Sequence, residues 1–416
     1  MTSHHLIWAI AAASTAGVIL RPWKLPEAIW AVSGALLLPI LGLLPLADVG
    51  RAVGKGTDVY FFLVGMMLLS ELARREGLFD YAAGVAVKHA GGSALHLFAL
   101  VYAIGVGVTV LLSNDATAVV LTPAVYAVCK KASAKPLPYL LACALVANAA
   151  SFVLPISNPA NLVVFGSQLP PLLKWFERFA LPSAASIIVT FGVLFLMERR
   201  ELSQPIEGSA EKVELSRGGR DVAIGIGLTI IVLLSSSAFD VALGLPTFIT
   251  AAAVALLTLI RKQEAPWQLF SGISWSVLPL VAGLFVLVEG LAESGVQAAL
   301  ATQLKGLAAS SPGAVPWIAG ILVAFASNLV NNLPAGLIAG AVVAGAHVNQ
   351  AVQSAVAIGI DLGPNLSVTG SLATILWLTA IRREGEDVSA WQFFKVGVLV
   401  MPLALLAALG ALWLQG

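Results

Sequence analysis

The sequence Ser113-Asn114-Asp115-Ala116-Thr117 interrupts one long apolar run, and Ser327-Asn328-Leu329-Val330-Asn331-Asn332 interrupts another about half the chain later. Both clusters lie in segments that are hydrophobic enough to enter a bilayer. Lipid offers no hydrogen-bond partners, so each unpaired polar group there costs several kcal/mol. Paired interruptions at matching places in two halves are typical of the binding site of a transporter.

The composition indicates a polytopic membrane protein. Of the 416 residues, 59% are hydrophobic and 11% are charged, and the mean hydropathy is +0.93, whereas a soluble domain carries about 25% charged residues. The net charge of +1 gives no attraction for nucleic acid. Cys129 and Cys143 have neither CxxC nor Cys/His spacing, so no metal, cofactor or disulfide is predicted. The first apolar run has no basic segment before it and is interpreted as a retained span.

Apolar runs of spanning length occur in two series around one hydrophilic linker, residues 199–219. The first series comprises residues 5–20, 26–44, 58–74, 94–130, 137–169 and 178–198, and the second comprises residues 220–237, 245–262, 274–290, 312–347, 351–381 and 391–413. Most runs of the second series follow their counterparts by a similar interval. We therefore predict an all-α polytopic membrane protein with a first repeat at residues 1–198, a cytoplasmic linker, and a second repeat at residues 220–416.

Charge placement indicates that the two repeats are inverted. The run 58–74 ends in Arg74 and Arg75, whereas its counterpart 274–290 ends near Glu289 and Glu293. The second interrupted segment shows the opposite, because only its second copy ends in two arginines. Lysine and arginine collect on the cytoplasmic side of a membrane, so corresponding ends are expected to face opposite sides.

The main basic clusters can all be cytoplasmic if residues 94–130 and 312–347 are re-entrant hairpins. These clusters are Arg21/Lys24, Arg74/Arg75, Lys130/Lys131, Arg199/Arg200, Arg261/Lys262 and Arg382/Arg383. Each half then has about five crossings, one hairpin and one broken helix, with both termini outside. Arg51 and Lys55 do not fit and are assigned to an interfacial helix. The alternative is two full spans per hairpin, but residues 116–130 are short for a span of about 20 residues.

Each hairpin tip has a companion break in the following segment. The first break is Pro155-Ile156-Ser157-Asn158-Pro159-Ala160-Asn161, where two prolines cannot continue a helix, and the second is Asp361-Leu362-Gly363-Pro364-Asn365-Leu366-Ser367-Val368-Thr369. Amides, hydroxyls and helix ends suit a small, neutral, oxygen-rich solute or an ion stripped of water. A lone asparagine in a membrane helix often only bonds a neighbouring helix, but four matched clusters favour a site. The predicted substrate-binding residues are Ser113, Asn114, Thr117, Ser157, Asn158, Asn161, Ser327, Asn328, Asn331, Asn332, Asn365 and Thr369.

Asp115 is the only carboxylate at the centre of a tip. Acids inside a membrane are costly and mark ion or proton pathways. Burial also favours the protonated form, which makes proton uptake and release feasible near neutral pH. We therefore predict that Asp115 carries a coupling proton, with Asp361 as the alternative carrier. The competing interpretation is an acid that stays ionised because helix N-termini stabilise it.

Residues 111–123 resemble the first hairpin motif of the arsenite/antimonite efflux permeases, the ArsB family of the ion transporter superfamily. Residues 327–334 and 361–374 resemble the second-half motifs of that family. The superfamily also contains sodium-coupled dicarboxylate and citrate carriers and sodium/proton antiporters. Those proteins commonly have Ser-Asn-Thr where this chain has Ser113-Asn114-Asp115, so the aspartate favours proton coupling.

The resemblance implies a multi-pass protein of the inner (plasma) membrane that exports arsenite and antimonite in exchange for protons. Trivalent arsenic is mainly an uncharged trihydroxide at neutral pH, which amides and hydroxyls can hold and still release. Some family members work with a soluble ATPase subunit on the cytoplasmic face, which makes such a subunit a candidate partner, and this chain has no GxxxxGK[ST] motif of its own. The alternatives are a sodium-coupled carboxylate carrier or sodium/proton antiporter and, in another class, an ion channel. An enzyme is not predicted, since neither HExxH nor GxSxG occurs.

Overall fold

The computed structural model describes residues 3–166, 169–207 and 214–415, and the secondary structure of these residues is helical apart from one isolated bridge between Ser93 and Pro205. Residues 208–213, in the middle of the predicted linker, lie outside the described residues. The helices of the first half are α1 (Ser3–Leu20), α2 (Glu27–Ile40), α3 (Leu46–Lys55), α4 (Thr57–Arg75), α5 (Leu78–Ala90), α6 (Ala94–Leu111), α7 (Asn114–Ala116), α8 (Thr122–Lys131), α9 (Leu137–Ala149), α10 (Pro159–Phe165) and α11 (Leu172–Leu202). Those of the second half are α12 (Arg217–Ala238), α13 (Gly244–Lys262), α14 (Pro266–Ser271), α15 (Val277–Glu293), α16 (Val296–Ser310), α17 (Val315–Val330), α18 (Asn332–Ala346), α19 (Gln350–Leu362), α20 (Leu372–Arg383) and α21 (Ala390–Leu414).

Helix length and composition identify a multi-pass membrane protein. Among the described residues, six helices are long and apolar enough to cross a membrane, namely α1, α6, α11, α12, α13 and α21. The number rises to eight if each of the bent pairs α3/α4 and α15/α16 is one span, with bends of 46° and 72°. Helices α2, α9, α17 and α18 are apolar but shorter. The expected all-α polytopic fold is confirmed.

Two helices that the sequence analysis did not predict, α5 and α16, follow the third apolar run of each half. Each begins directly after a glycine in the left-handed conformation, Gly77 with φ of 72° and Gly295 with φ of 81°. Glycine adopts this conformation without a steric penalty from a Cβ atom. The chain therefore turns sharply at equivalent places, and α5 and α16 lead into the two interrupted segments.

The two halves pack on each other in a reciprocal way. Helix α2 of the first half packs along α15 of the second, and α4 packs along α13. The last helices of the two halves, α11 and α21, also pack along each other. The helix of the second apolar run in each half thus packs along the helix of the third run in the other half. A two-fold relation between the halves would produce this pattern. The inversion of the repeats and the division at residues 199–219 stay predictions.

The ends of two helices that the charge pattern assigns to the cytoplasm, α4 and α13, lie at the same end of the molecule. Arg75 at the end of α4 pairs with Glu264 just after α13, at 2.7 Å. Lys262 at the end of α13 pairs with Glu76, at 2.6 Å. Basic residues of two distant helix ends are thus held together by reciprocal ion pairs, an arrangement that agrees with one shared membrane side.

The two ends of the first interrupted segment are held by the chain that follows α11. The Ile206 N–H donates to Gly92 O (3.0 Å) just before α6, and the Glu207 N–H donates to Ala132 O (2.9 Å) just after α8. The segment therefore starts and finishes at one end of the molecule. Both a re-entrant hairpin and a pair of crossing helices have this property, and α6 alone is long enough to cross. The choice of hairpins over full spans stays a prediction.

The basic residues that did not fit the charge pattern lie on a separate helix, α3. Arg51 pairs with Asp48 of the same helix, and Lys55 pairs with Glu289 of α15 at 2.6 Å. Ala52 is the only fully buried residue of α3. A short, mostly exposed helix that bends away from α4 is consistent with the interfacial position expected for these residues.

Close contacts between small residues fix the second broken helix against its tip. A Cβ atom on Gly359 of α19 would lie 2.2 Å from the carbonyl oxygen of Gly320 on α17, and one on Gly363 would lie 2.3 Å from the carbonyl oxygen of Ala324. Small residues four positions apart allow membrane helices to approach closely. The contact between α17 and α19 thereby positions the second tip beside the second break.

We expect Gly359→Ala to destabilise the fold. The new methyl group would meet a backbone carbonyl, which cannot move aside as a flexible side chain can, so the free energy of unfolding should fall by about 1–3 kcal/mol. Gly227→Ala in α12 is the matched control, because a Cβ atom there meets nothing within 4 Å. Thermal unfolding in detergent measures both variants, and equal unfolding temperatures would contradict the close crossing of α17 and α19.

Candidate functional site

The two tips, the first break and the start of the helix after the second break meet at one cavity. Its lining includes residues 114–115 of the first tip, residues 331–334 of the second tip, residues 158–159 of the first break and residues 371–373 after the second break. The empty space of the cavity, including its open mouth, is about 610 Å³. Segments that lie about half the chain apart in sequence therefore surround a common space.

Four helices that begin at the tips and after the breaks are each capped by a polar residue at this cavity. These residues accept hydrogen bonds from first-turn backbone N–H groups at 3.0 to 3.4 Å, and they are Ser113 before α7, Asn158 before α10, Asn331 before α18 and Ser371 before α20. The caps satisfy donors that lipid could not satisfy. Helix N-termini carry partial positive charge, so the cavity favours oxygen atoms of a solute or a carboxylate.

The opposite wall of the cavity is largely apolar. It consists of Val18 of α1, Leu63 of α4 and four aliphatic residues of α15. Glu27, at the start of α2, is the acidic member of this wall, and its Oε1 lies 3.1 Å from Arg21. The residues that line the cavity include two acids, Glu27 and Asp115, and no lysine or arginine.

The Asp115 carboxylate is half-buried and makes no hydrogen bond or ion pair with any described residue. Its backbone N–H donates to Asn114 Oδ1 at 2.9 Å. Asp115 lies in the first turn of the helical segment that begins at Asn114, where the partial positive charge favours a carboxylate. Both oxygens of Asp115 are therefore available to a proton or to a bound solute.

Five of the predicted site residues line the cavity: Asn114, Asp115, Asn158, Asn331 and Asn332. The Nδ2 of Asn331 donates to the carbonyl oxygen at position 369 at 3.2 Å, so this side chain also holds the second tip against the second break. Asn332 makes no side-chain hydrogen bond among the described residues. Its whole amide is available to a solute.

Four predicted residues of the first half, Ser113, Thr117, Ser157 and Asn161, lie behind the lining residues. Ser113 is the cap of α7. The Thr117 hydroxyl lies 2.8 Å from the hydroxyl of Thr109, across the tip. Ser157 and Asn161 donate to backbone carbonyls at 3.2 Å and 2.8 Å. These side chains hold the shape of the tip and of the break.

Four predicted residues of the second half, Ser327, Asn328, Asn365 and Thr369, also lie outside the lining. Asn328 Nδ2 donates to Gly363 O at 2.9 Å and thereby joins the second tip to the second break. Its Oδ1 accepts a 2.6 Å hydrogen bond from a serine hydroxyl of that break. The Ser327 hydroxyl donates to its own helix at 2.8 Å. The second tip and the second break thus form one hydrogen-bonded unit.

Sequence analysis missed three polar residues at or near the site, Asn148, Ser371 and Glu27. The Asn148 amide donates to Asn365 Oδ1 at 2.9 Å, and Asn365 Nδ2 donates to Leu145 O at 3.1 Å. This buried pair joins the first broken helix to the second. Each of the three had a sequence signal that could have identified it. Asn148 is a single asparagine in the apolar run of α9, Ser371 follows the second break by two residues, and Glu27 is an acid that follows a proline at the start of α2.

The site uses oxygen and nitrogen ligands only. Among the described residues, no three His, Cys, Asp or Glu side chains lie close enough together to hold a metal ion. Cys129 and Cys143 are buried free thiols that do not line the cavity. Neither cysteine therefore contributes a side chain to the cavity described above.

Known proteins of similar sequence and fold are membrane transporters. The arsenical pump membrane proteins of Yersinia enterocolitica and Escherichia coli (strain K12) are 27% and 26% identical to this chain, over 96% of the chain and 96% of each relative. The YdaH transporter of Alcanivorax borkumensis has a similar fold, with a TM-score of 0.57 and 17% identity over 87% of this chain and 86% of that one.

The family model described as "Citrate transporter" (CitMHS) matches residues 15–362, which is most of the chain. The relatives and the solved structure agree with this match in class, in length and in fold. The chain belongs to the CitMHS family of membrane transporters, and its predicted resemblance to the arsenical pump (ArsB) membrane proteins is confirmed.

Proposed function

We propose that the protein is a secondary transporter that exports arsenite and antimonite in exchange for protons. The observation that carries the proposal is the cavity lined by both tips, the first break and the residues that follow the second break, which present amides, capped helix ends and the unpaired Asp115 carboxylate. Relatives named arsenical pump membrane proteins support the substrate class. The exchange needs no ATPase, and a soluble ATPase subunit on the cytoplasmic face stays a prediction.

The cavity suits a neutral trihydroxide because it offers donors and acceptors together. The Asn332 amide has no partner within the protein, and Asn114 has a free Nδ2, since only its Oδ1 is engaged. The Asp115 oxygens can accept hydrogen bonds from the O–H groups of the solute. Neutral hydrogen bonds hold a solute weakly enough for release, because each contributes only about 0.5–1.5 kcal/mol net.

A carboxylate such as citrate is the second candidate substrate, since the matching family model is described as a citrate transporter. The charges at the cavity argue against it. A multiply charged anion would be brought beside the unpaired Asp115 carboxylate, and the lining offers only the partial positive charge of helix N-termini, with no lysine or arginine, to compensate. Burial of an unpaired charge is strongly unfavourable, whereas an uncharged trihydroxide avoids that cost.

Competition for Asp115 gives a simple form of coupling. When Asp115 is ionised, it accepts a hydrogen bond from the solute, and when it is protonated, it loses an acceptor and binds the solute less well. Proton and solute then bind in a mutually exclusive way, and such antagonism is reciprocal. The proton gradient supplies the driving force that membrane potential alone cannot give to an uncharged solute.

Transport in everted membrane vesicles tests the proposal directly. Arsenite addition to energised vesicles should drive proton efflux from the lumen and arsenite uptake into it, with no requirement for sodium. Sodium with citrate should produce neither flux. Citrate uptake without an arsenite response would favour the carboxylate carrier and contradict the proposal.

We expect Asp115→Asn to abolish the proton flux that accompanies arsenite. The amide cannot bind a proton in this pH range, so any remaining arsenite movement should be uncoupled from the pH gradient. Asp240→Asn is the matched control, because Asp240 is exposed and has a left-handed φ of 54°, which asparagine also tolerates. Normal coupling in Asp115→Asn would remove Asp115 from this role.

Two asparagine variants distinguish a side chain that binds the solute from a side chain that only stabilises the fold. Asn332→Ala should raise the KM for arsenite by roughly tenfold and leave the unfolding temperature unchanged, since its amide bonds nothing in the protein. Asn365→Ala should lower the free energy of unfolding by about 1–3 kcal/mol, because Asn148 and Leu145 O lose their partners. Vesicle kinetics and thermal unfolding provide the two measurements, and the reverse pattern would contradict the assignment.

A further inference from the structure

A buried acid, Asp361, lies where the two broken helices touch. It is 0% exposed, at the end of α19, and it is not part of the cavity lining. Its Oδ1 accepts a 2.6 Å hydrogen bond from Asn158 Nδ2. Asn158 lines the cavity and caps α10 through its own Oδ1 at 3.0 Å. Asp361 thus fixes the orientation of a cavity residue that belongs to the other half of the chain.

The second oxygen of Asp361 has no hydrogen-bond donor. Asp361 Oδ2 is buried without a partner, and so is the side-chain oxygen of Asn161. The side chains of Asn161 and Ser151 also interact with the Asp361 carboxyl group, but neither makes a hydrogen bond to it. Asn161 Nδ2 instead donates to Ser151 O, and the Ser151 hydroxyl donates to Asn148 O, each at 2.8 Å.

An ionised carboxylate does not fit these surroundings. The side chains that face Asp361 are two amides and one hydroxyl, and no charged group among the described residues acts on it. A buried charge without an opposite charge or a full set of donors is strongly unfavourable. Asp361 Oδ2 and the side-chain oxygen of Asn161 are both unpartnered acceptors on interacting side chains, and one added proton on the carboxyl group would give each of them a hydrogen-bond partner.

We infer that Asp361 is held as a neutral carboxylic acid, with a resident proton on Oδ2 that it donates to the side-chain oxygen of Asn161. Asp361 then accepts from Asn158 through Oδ1 and donates through Oδ2, so both buried oxygens are satisfied. The acid ties α19 to α10 without a buried charge. Because it is sealed from the cavity, Asp361 acts as a positioning residue for Asn158, and Asp115 carries the transported proton. This division of roles rests on the proposed function, whereas the protonation state does not.

Asparagine keeps the carbonyl acceptor of a neutral aspartic acid and places an N–H donor where the acid has its O–H. Asp361→Asn should therefore keep the wild-type unfolding temperature, and its transport rate and pH profile should match the wild type within about twofold. Asp361→Leu, of similar size but without polar atoms, should unfold at a lower temperature. It should also raise the KM for arsenite by roughly tenfold, because Asn158 loses its anchor. A clearly less stable Asp361→Asn protein would overturn the inference.

Infrared spectroscopy of the purified protein detects the proton itself. The wild type should show the carbonyl band of a protonated carboxylic acid that is absent in Asp361→Asn, is retained in Asp115→Asn, and exchanges slowly in deuterated water. Identical spectra of the wild type and Asp361→Asn in this region would show an ionised Asp361 and overturn the inference. A folded Asp361→Asn protein without proton coupling would show that the proton of Asp361 is transported, which also overturns it. If the wild type moves no arsenite, the proposed function fails, while the infrared band and the unfolding temperatures still decide the protonation state.

Discussion

Every backbone polar group that enters a bilayer must be satisfied within the protein, and this constraint governs the whole molecule. The chain breaks its helices at four places, and each break frees backbone groups that lipid cannot satisfy. In the folded protein the broken segments lie together and satisfy each other's polar groups. Side chains cap the new helix starts, Asn328 bonds the second tip to the second break, and Asn148 and Asn365 join the two broken helices. The binding cavity is the space that this mutual satisfaction leaves open.

The helical fold and the location of the site could be predicted because hydropathy is a strong signal over spans of about 20 residues. The four polar clusters stood out against apolar runs, and residues of three of them line one cavity together with residues that follow the fourth. Helices α5 and α16 could not be predicted from hydropathy alone, because they are short and follow single glycines. Whether each interrupted segment is a hairpin also depends on depth in the membrane, which length does not determine.

The individual site residues were harder to predict than the site. Asn158 lines the cavity, while Asn161, three residues later, lies behind it. Asn332 faces the cavity, but Asn328 turns toward the second break. Which way a side chain points is set by the helix rotation after each break, and that rotation depends on contacts between distant segments such as α17 and α19. Residue type and spacing carry no information about those contacts.

The same constraint separates the two acids of the site. Asp115 lies at an open cavity beside a helix N-terminus, where water, a proton or a solute can reach its unpaired oxygens. Asp361 lies in a sealed contact where Asn158 alone donates a hydrogen bond to it. An acid that exchanges its proton needs access and an energetic balance between its two forms, whereas an acid that joins two helices needs one form only. Access to the cavity, more than the presence of a carboxylate, therefore decides which aspartate can take the proton-carrying role in the proposed exchange.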